Sequence, residues 1–417
     1  MKQRGRHRRR RRGRALRAFL TGTALALTAA ATMISASQAT VEEDPGSLRP
    51  LAADGARLTE DLVPAGALRR LTASMGRPVG VATLLAEADR TLRPAAECTP
   101  AERAALPAGP AAASAHCWDA SGGRALRPGA VTTSGDADGD GLWGAHRVVL
   151  AGRTAGERGT RLPLLSFVDA DASGRLPYAS ALLVVPVDGG RDYRALPSDL
   201  SGLVWYRDKL LVAADDAVYV YDVNRTLRTS VAAPAVGRVP GGFSAHGLRY
   251  VLPAVGAYRP ASGGTRLGAL GLDRSTTPDT LVAAERTAPG SEAGTRLWRY
   301  PFGTDPARPG PLAADAEGRV SAVEAYRTEA SDVRGVLAHR SGWYVSRAAA
   351  GDETHGTLWR QDTDGARAAR CGSESSPHCW SPSAASLSYW ARTGEVWAQS
   401  GRMLFSVPLP EIDRALR

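Results

Sequence analysis

The chain has 417 residues, enough for one large domain or for two to three ordinary ones. Its hydrophobic fraction of 43% and charged fraction of 23% are ordinary globular values, which exclude a chain that is disordered throughout. The formal net charge of +10 does not indicate a nucleic-acid partner. Residues 1–17 hold ten of the 52 basic residues and no acid, so the rest of the chain has as many basic residues as the 42 acidic ones.

Residues 1–39 have the pattern of an export signal. The basic run at 1–17 directly precedes an apolar stretch at 18–36, and Ser37-Gln38-Ala39 gives the small-x-small cleavage pattern. A nucleic-acid-binding arm or a membrane helix is the alternative, but a spanning helix needs about 20 strongly apolar residues and threonines dilute this stretch. We therefore predict a signal peptide at 1–39. The mature chain is expected to start at Thr40, to be secreted by the Sec or the twin-arginine route, to lack a membrane span and to be monomeric.

Four cysteines follow, and the exported context favours disulfides over free thiols. The spacing favours local pairing among the three possible arrangements, with the pairs Cys98–Cys117 and Cys371–Cys379. A zinc site is the alternative, because the tripeptide His-Cys-Trp occurs at both 116–118 and 378–380 and could supply two His and two Cys ligands. Adjacent residues of an extended strand point to opposite faces, which argues against that site.

Residues 40–127 are predicted to form a partly ordered leader. Helix-forming residues with apolar positions at three- and four-residue spacing predict short helices at 59–74 and 79–92. Residues 95–127 are rich in Ala, Pro and Gly and are expected to be a loop held by the Cys98–Cys117 disulfide.

From Pro128 onwards the sequence predicts short strands, in a unit that is clearest at 201–225. Three apolar, β-branched and aromatic segments are bounded there by Asp-containing turns, which is typical of an antiparallel meander. Later units repeat a middle strand and an aromatic closing strand. Because one such unit cannot bury both faces alone, the repetition predicts an all-β chain folded as a β-propeller over 128–417. A β-sandwich is the rival fold, but it does not predict a repeated aromatic closing strand.

The repeats predict five blades, with a sixth between 302 and 332 as the alternative. The predicted blades span 128–187, 201–223, 242–301, 333–362 and 386–408.

The sequence resembles a group of secreted actinobacterial propeller-like proteins. The resemblance covers roughly residues 117–409 in order, through the segments CWDASGG, RPGAVTTS, LPLLSFVDAD, ALLVVPV, GLVWYRDKLLVAADDAVYVYDV, LRYVLPAVGAY, LGLDRSTTPDTLVAAE, DVRGVLAHRSGWYVSRAAAG and SLSYWARTGEVWAQSGRMLFSVPL. It implies the propeller fold and export and implies no activity. The chain departs from the family pattern where relatives carry an acidic pair before the last repeat, since Ala385 and Ser386 stand there.

The sharpest local motif is the run of alternating carboxylates Asp136, Asp138 and Asp140, which ends in Gly141. Such a run can wrap a calcium ion with oxygen ligands while glycine permits the tight turn. The twelfth position, where an EF-hand loop has a closing Glu, is Arg147 here, and Asp-Gly repeats are also ordinary polar turns. Calcium is therefore the one candidate cofactor, and a plain turn is the competing interpretation. Residues 169–174 are a weaker copy of the motif.

Two functions from different classes remain. The first is a non-enzymatic module that binds an unknown extracellular or cell-envelope ligand or protein at one mouth of the propeller channel. The second is an extracellular hydrolase, lactonase or lyase that uses a channel metal. The predicted first strands read PGAV, SGLV, ALGL, RGVL and SLSY and are almost devoid of carboxylates and histidines, which favours the first. Six tryptophans could line a carbohydrate site, but strand aromatics more often pack between blades: Trp205, Trp298, Trp343, Trp359, Trp390 and Trp397.

Overall fold

The computed structural model describes residues 44–53, 56–119, 126–156, 161–261, 265–288, 291, 293–305 and 308–416. Strands account for 48% and helices for 12% of the residues, so the chain is mostly β, as predicted. Pro45–Arg417 forms one compact unit. The predicted signal peptide at 1–39 lies outside the described residues, and no helix within them is long and apolar enough to cross a membrane.

The helices of the described part are short and lie mostly before the first long strand or at the end of the last one. They are α1 (Ala65–Met75), α2 (Val81–Ala86), α3 (Pro100–Arg103), α4 (Ser134–Ala137) and α5 (Leu409–Ala415). The strands of the first half are β1 (Arg49–Leu51), β2 (Leu58–Leu62), β3 (Arg90–Pro94), β4 (Ser114–Cys117), β5 (Leu126–Thr133), β6 (Val148–Ala155), β7 (Leu162–Asp169), β8 (Leu176–Val187), β9 (Asp192–Ala195), β10 (Gly202–Tyr206), β11 (Lys209–Ala213), β12 (Val218–Asp222), β13 (Leu227–Arg228), β14 (Val236–Val239) and β15 (Gly242–Ala245). Those of the second half are β16 (Tyr250–Pro260), β17 (Leu267–Asp273), β18 (Thr280–Glu285), β19 (Thr295–Pro301), β20 (Arg319–Val320), β21 (Glu324–Thr328), β22 (Val333–His339), β23 (Gly342–Arg347), β24 (Gly356–Gln361), β25 (Ala366–Ala368), β26 (His378–Trp380), β27 (Ser388–Trp390), β28 (Glu395–Ser400) and β29 (Met403–Pro408).

Most of these strands form antiparallel meanders, which we number as sheets in chain order. Sheet 1 is β5-β6-β7-β8, and sheet 2 is β10-β11-β12-β16. Sheet 3 is β17-β18-β19-β21-β1, and sheet 4 is β22-β23-β24 with β25 and β26 both paired to β24. Sheet 5 is β27-β28-β29-β4, so a strand from the beginning of the chain completes the last meander.

Large apolar cores lie between neighbouring sheets, and each contains a buried tryptophan. Trp205 packs between sheets 1 and 2, Trp298 between sheets 2 and 3, and Trp343 between sheets 3 and 4. Trp380 packs between sheets 4 and 5, and Trp390 packs between sheet 5 and sheet 1. The order of the cores is therefore cyclic. Strands such as β10 are buried on both faces, which is why they are continuous apolar runs rather than alternating ones.

The first strands of the meanders approach one another at backbone distance. A Cβ atom on Gly202 of β10 would lie 2.7 Å from the backbone nitrogen of Leu270 in β17, and one on Gly271 of β17 would lie 2.2 Å from the carbonyl oxygen of Val336 in β22. The Ser386 hydroxyl, just before β27, donates to the Val131 carbonyl of β5 at 2.8 Å and accepts from its N–H at 2.7 Å. Glycine is required at positions 202 and 271 because no side chain fits between the strands there.

The outer strands of sheets 1, 2 and 5 are also hydrogen-bonded to one another. The first half of β16 pairs in parallel with β8, while β3 pairs with both β8 and β4. Ten strands thereby follow one another from β10 to β27 in one nearly closed, barrel-like sheet.

The predicted boundary near residue 127 does not divide the structure. The predicted leader supplies strands β1, β2, β3 and β4, which pair with the outer edges of later sheets. These pairings satisfy the edge N–H and C=O groups that a four-strand meander leaves open. The helices predicted at 59–74 and 79–92 are accordingly shorter, because β2 and β3 take up part of each range.

The predicted blade at 242–301 is also divided differently. Its first part is β16, the outer strand of sheet 2, and its second part is β17, β18 and β19 of sheet 3. The alternative blade between 302 and 332 is not a separate meander in the described residues. Its strands β20 and β21 pair with β2 and β19.

Candidate functional site

The turns that follow the first strands of the five meanders contact one another, which defines a strand-end face. The Arg207 N–H after β10 donates to the Ala137 carbonyl at 2.9 Å, and the Arg340 N–H after β22 donates to the Ser275 hydroxyl after β17 at 2.8 Å. The His339 and Tyr389 rings lie 4.9 Å apart at the ends of β22 and β27. Side chains at this face therefore come from all five meanders.

Helix α4 contacts β5, β10 and β27 at the strand-end face, and Asp136 is its buried carboxyl. Asp136 Oδ2 accepts hydrogen bonds from the hydroxyls of Thr132 in sheet 1 and Ser388 in sheet 5, both at 2.7 Å. Arg274, at the end of the first strand of sheet 3, donates to the Asp136 carbonyl at 2.6 Å. Burial raises the pKa of Asp136, and the two hydroxyl donors oppose that rise. Asp136 thus links three sheets, a role that the sequence motif did not indicate.

The other two carboxylates of the predicted calcium motif point into their own turn. Asp138 Oδ1 accepts from the Asp140 N–H at 3.4 Å, and Asp140 Oδ1 accepts from the Leu142 N–H at 2.8 Å. Among the described residues, the one group of three potential metal ligands within 4.8 Å of one another is Cys98, Glu102 and Cys117, two of which form a disulfide. The structure therefore does not bring Asp136, Asp138 and Asp140 together, and calcium binding there stays a prediction.

The cysteines pair locally. The S–S distances are 2.13 Å for Cys98–Cys117 and 2.06 Å for Cys371–Cys379. Oxidised sulfurs do not bind zinc as thiolates, so the alternative zinc site is incompatible with this pairing. The six tryptophans considered as a carbohydrate surface are at most 4% exposed and pack in the interior, as the core interpretation predicted.

Arginines recur at the strand-end face. In four of the five meanders an arginine lies within two residues of the end of the first strand, at Arg207, Arg274, Arg340 and Arg392. Arg274 pairs with Asp279 at 3.2 Å, whereas the other three form no ion pair with any described carboxylate. The sequence contains this signal as YR, DR, HR and AR after successive strands, but it becomes meaningful only when the strands are known to end together.

A groove of about 540 Å³ opens on this face between sheets 4 and 5. We call it the strand-end groove, and its polar and aromatic lining is His339, Arg340, Ser341, Tyr344, Arg360, Arg367, Tyr389 and Asp413. Arg340 and Arg367 are exposed and form no ion pair with a described residue, while Arg360 lies 3.5 Å from Asp362. Asp413, the carboxylate in the groove lining, accepts a hydrogen bond from the Tyr344 hydroxyl at 2.6 Å. The groove is therefore positively charged and has tyrosine rings in its walls.

The electrostatics of the groove favour anion binding rather than acid–base chemistry. Burial, reinforced by the charge of Arg340, lowers the pKa of His339, which favours its neutral imidazole. The guanidinium groups of the arginines offer paired N–H donors to carboxylate or phosphate. This arrangement can hold an acidic ligand by charge and by ring contact.

Comparison with known proteins assigns the chain to no family. No family model matches the sequence, and no curated protein matches it either. The function must therefore be argued from the geometry of the chain itself.

Proposed function

We propose that this chain is a secreted, five-bladed β-propeller that acts as a non-enzymatic binding module for an acidic polysaccharide. The cyclic order of the apolar cores, from sheets 1 and 2 round to sheets 5 and 1, supports five blades. The completion of sheet 5 by β4 supports a closed ring, because it joins an early strand to the last meander. The two disulfides support an oxidising compartment, which agrees with an export signal at 1–39.

The observation that carries the binding proposal is the arginine set on the strand-end face. Of the four arginines that follow the first strands, three are without a carboxylate partner among the described residues. One of these three, Arg340, lines the strand-end groove together with Arg360 and Arg367. A chain of negatively charged sugar rings matches this surface in two ways. Its carboxylates complement the guanidinium groups, and its rings can lie against tyrosine side chains such as Tyr389.

Binding of polygalacturonate, compared with neutral dextran, tests the proposal. We expect titration calorimetry to detect polygalacturonate alone, with an affinity that falls as salt rises. The double variant Arg340→Ala/Arg367→Ala should bind about fivefold less tightly, because exposed ion pairs contribute roughly 0.2–1 kcal/mol each.

The matched control is Arg127→Ala/Arg286→Ala, which removes the same charge elsewhere. Arg127 and Arg286 pair with Asp199 and Asp215, away from the groove. This control should bind polygalacturonate as the wild type does. Equal binding of dextran, or equal loss in the two double variants, would contradict the proposal.

A further inference from the structure

A second cavity lies at the periphery, away from the strand-end face. Its volume is about 320 Å³, and it is enclosed by β3, the strands of sheet 1 and the turn before β16. We call it the peripheral cavity; the residues that matter below are Leu126, Arg153, Leu164, Ser180, Leu248 and Arg249.

Arg153 is a buried charge that no carboxylate of the described residues pairs with. It lies in β6, is 3% exposed and forms no ion pair among the described residues. One of its nitrogens, Nη2, donates to the Ser166 hydroxyl at 2.9 Å, whereas Nε is buried without a hydrogen-bond partner in the described part of the chain. Charged side chains are almost never fully buried unless they are paired, so this residue requires an explanation.

Aromatic contacts compensate Arg153 only in part. Its guanidinium carbon lies 3.8 Å from the centroid of the Trp118 ring and 5.3 Å from that of Tyr178. Such contacts are worth about 2 kcal/mol when desolvated, whereas burying an ion costs several kcal/mol. Burial lowers the pKa of Arg153 to about 10, so it still carries its charge at pH 7. A positive charge that forms no ion pair with a described residue therefore lies at the wall of a cavity.

The aromatic support of Arg153 is itself fixed in place. The Trp118 indole N–H donates to Gln399 Oε1 at 2.9 Å, and the Gln399 amide donates to the Gly152 carbonyl at 2.9 Å. Trp118 also follows Cys117, which the disulfide ties to Cys98. The guanidinium is thus held in a set orientation before any ligand arrives, which lowers the cost of binding.

The remaining lining indicates what kind of anion fits. Ser166 and Ser180 are hydrogen-bonded at 2.9 Å, and an arrangement in which Ser166 donates to Ser180 leaves the Ser180 hydroxyl hydrogen for a ligand oxygen. Leu126, Leu164 and Leu248 supply apolar walls, and Asp89 and Asp119 also lie in the lining. The volume corresponds to about ten water molecules at roughly 30 Å³ each, which limits the ligand to a small molecule.

We propose that the peripheral cavity is a binding site for a small monocarboxylate with an apolar body, whose carboxylate lies between Arg153 and Ser180. A single negative charge matches the single buried positive charge, and a group with two charges would be costlier to desolvate. Arg249 in the cavity lining is paired with Glu87 at 2.8 Å, whereas Arg90 in the same lining has no ion pair with a described residue and adds to the positive field.

Hexanoate and its neutral isostere hexanamide are the probes for the full chain. We expect calorimetry to detect hexanoate, and hexanamide to bind about thirtyfold less tightly or worse. Arg153→Met should bind hexanoate less tightly by a similar factor. Its melting temperature should not fall, because replacing a buried charge by an apolar side chain is commonly neutral or stabilising. Ser180→Ala should weaken hexanoate about tenfold and provides the test if Arg153→Met fails to fold.

Arg367→Met, in the strand-end groove, is the matched control and should bind hexanoate as the wild type does. Conversely, Arg153→Met should keep polygalacturonate binding, so failure at one site is distinguishable from failure at the other. Equal binding of hexanoate and hexanamide, no detectable hexanoate binding, or inorganic phosphate binding in its place would each overturn the proposal.

Discussion

Asp136→Ala is the substitution for which the structure gives the sharpest expectation. It removes the acceptor of two buried hydroxyls, Thr132 and Ser388, each bonded at 2.7 Å. A buried donor left without a partner costs about 1–3 kcal/mol, but Ser388 can turn to the Thr133 hydroxyl 3.3 Å away, and the variant no longer buries a carboxyl. We therefore expect a loss of about 1–3 kcal/mol in the free energy of unfolding, which is the cost of the one Thr132 hydroxyl donor left without an acceptor.

Urea denaturation at pH 7 measures this loss as a lower midpoint with an unchanged slope. Asp138→Ala is the matched control two residues away, because its side chain accepts only from its own turn. That control should change the free energy of unfolding by less than about 0.5 kcal/mol. An equal loss in the two variants would refute the assignment of Asp136 as the link between sheets. If the same scans show that calcium stabilises the wild type but not Asp138→Ala, the calcium prediction is correct.

The remaining predictions concern pH, a crosslink and a close approach. The pKa of Glu87 is lowered to about 2, chiefly by its hydrogen bond to Arg228, so its contribution to stability is present above pH 4.5 and lost as the pH falls towards 2. Glu87→Gln should therefore reduce the fall of the melting temperature between pH 4.5 and pH 2. An unchanged fall in the variant would contradict this. Replacing Cys98 and Cys117 together by Ala should cost about 3 kcal/mol of unfolding free energy in urea, because the 19-residue separation closes a long loop; no change in midpoint would refute it. Gly271→Ala should lower the unfolding free energy by more than about 2 kcal/mol, since its Cβ would lie 2.2 Å from the Val336 carbonyl oxygen. Gly139→Ala is the control, because a Cβ there would have no atom within 4 Å. Similar urea midpoints for the two variants would rule out the close approach.

The sequence predicted the interior strands well because their residues are apolar on both faces. β10, β11 and β12 were expected from a single 25-residue unit, and the buried tryptophans were expected in the core. The outer strands were missed for the opposite reason. β2 has the sequence LTEDL, which carries no strand periodicity, and its place is set by the edge of β16 far along the chain.

The candidate sites were harder to predict because they depend on what covers a residue. Arg153 occurs in LAGRTA, where a charged residue in a strand normally faces solvent. The rings of Trp118 and Tyr178 cover its guanidinium, and neither lies close to it in sequence. Asp136 was grouped with Asp138 and Asp140 by spacing, but α4 turns its carboxyl inward while the other two stay in the turn.

The pairing of β4 with β29 has a consequence for the order of assembly. Cys117 lies opposite Met403, a separation of 286 residues (403 minus 117), so the last meander acquires its outer strand only after nearly all of the chain has been made. Contacts this distant in sequence slow folding, because the chain entropy must be lost before the contact forms. A product that stops before residue 403 leaves β4 without its partner β29, and quality-control proteases are expected to remove such fragments.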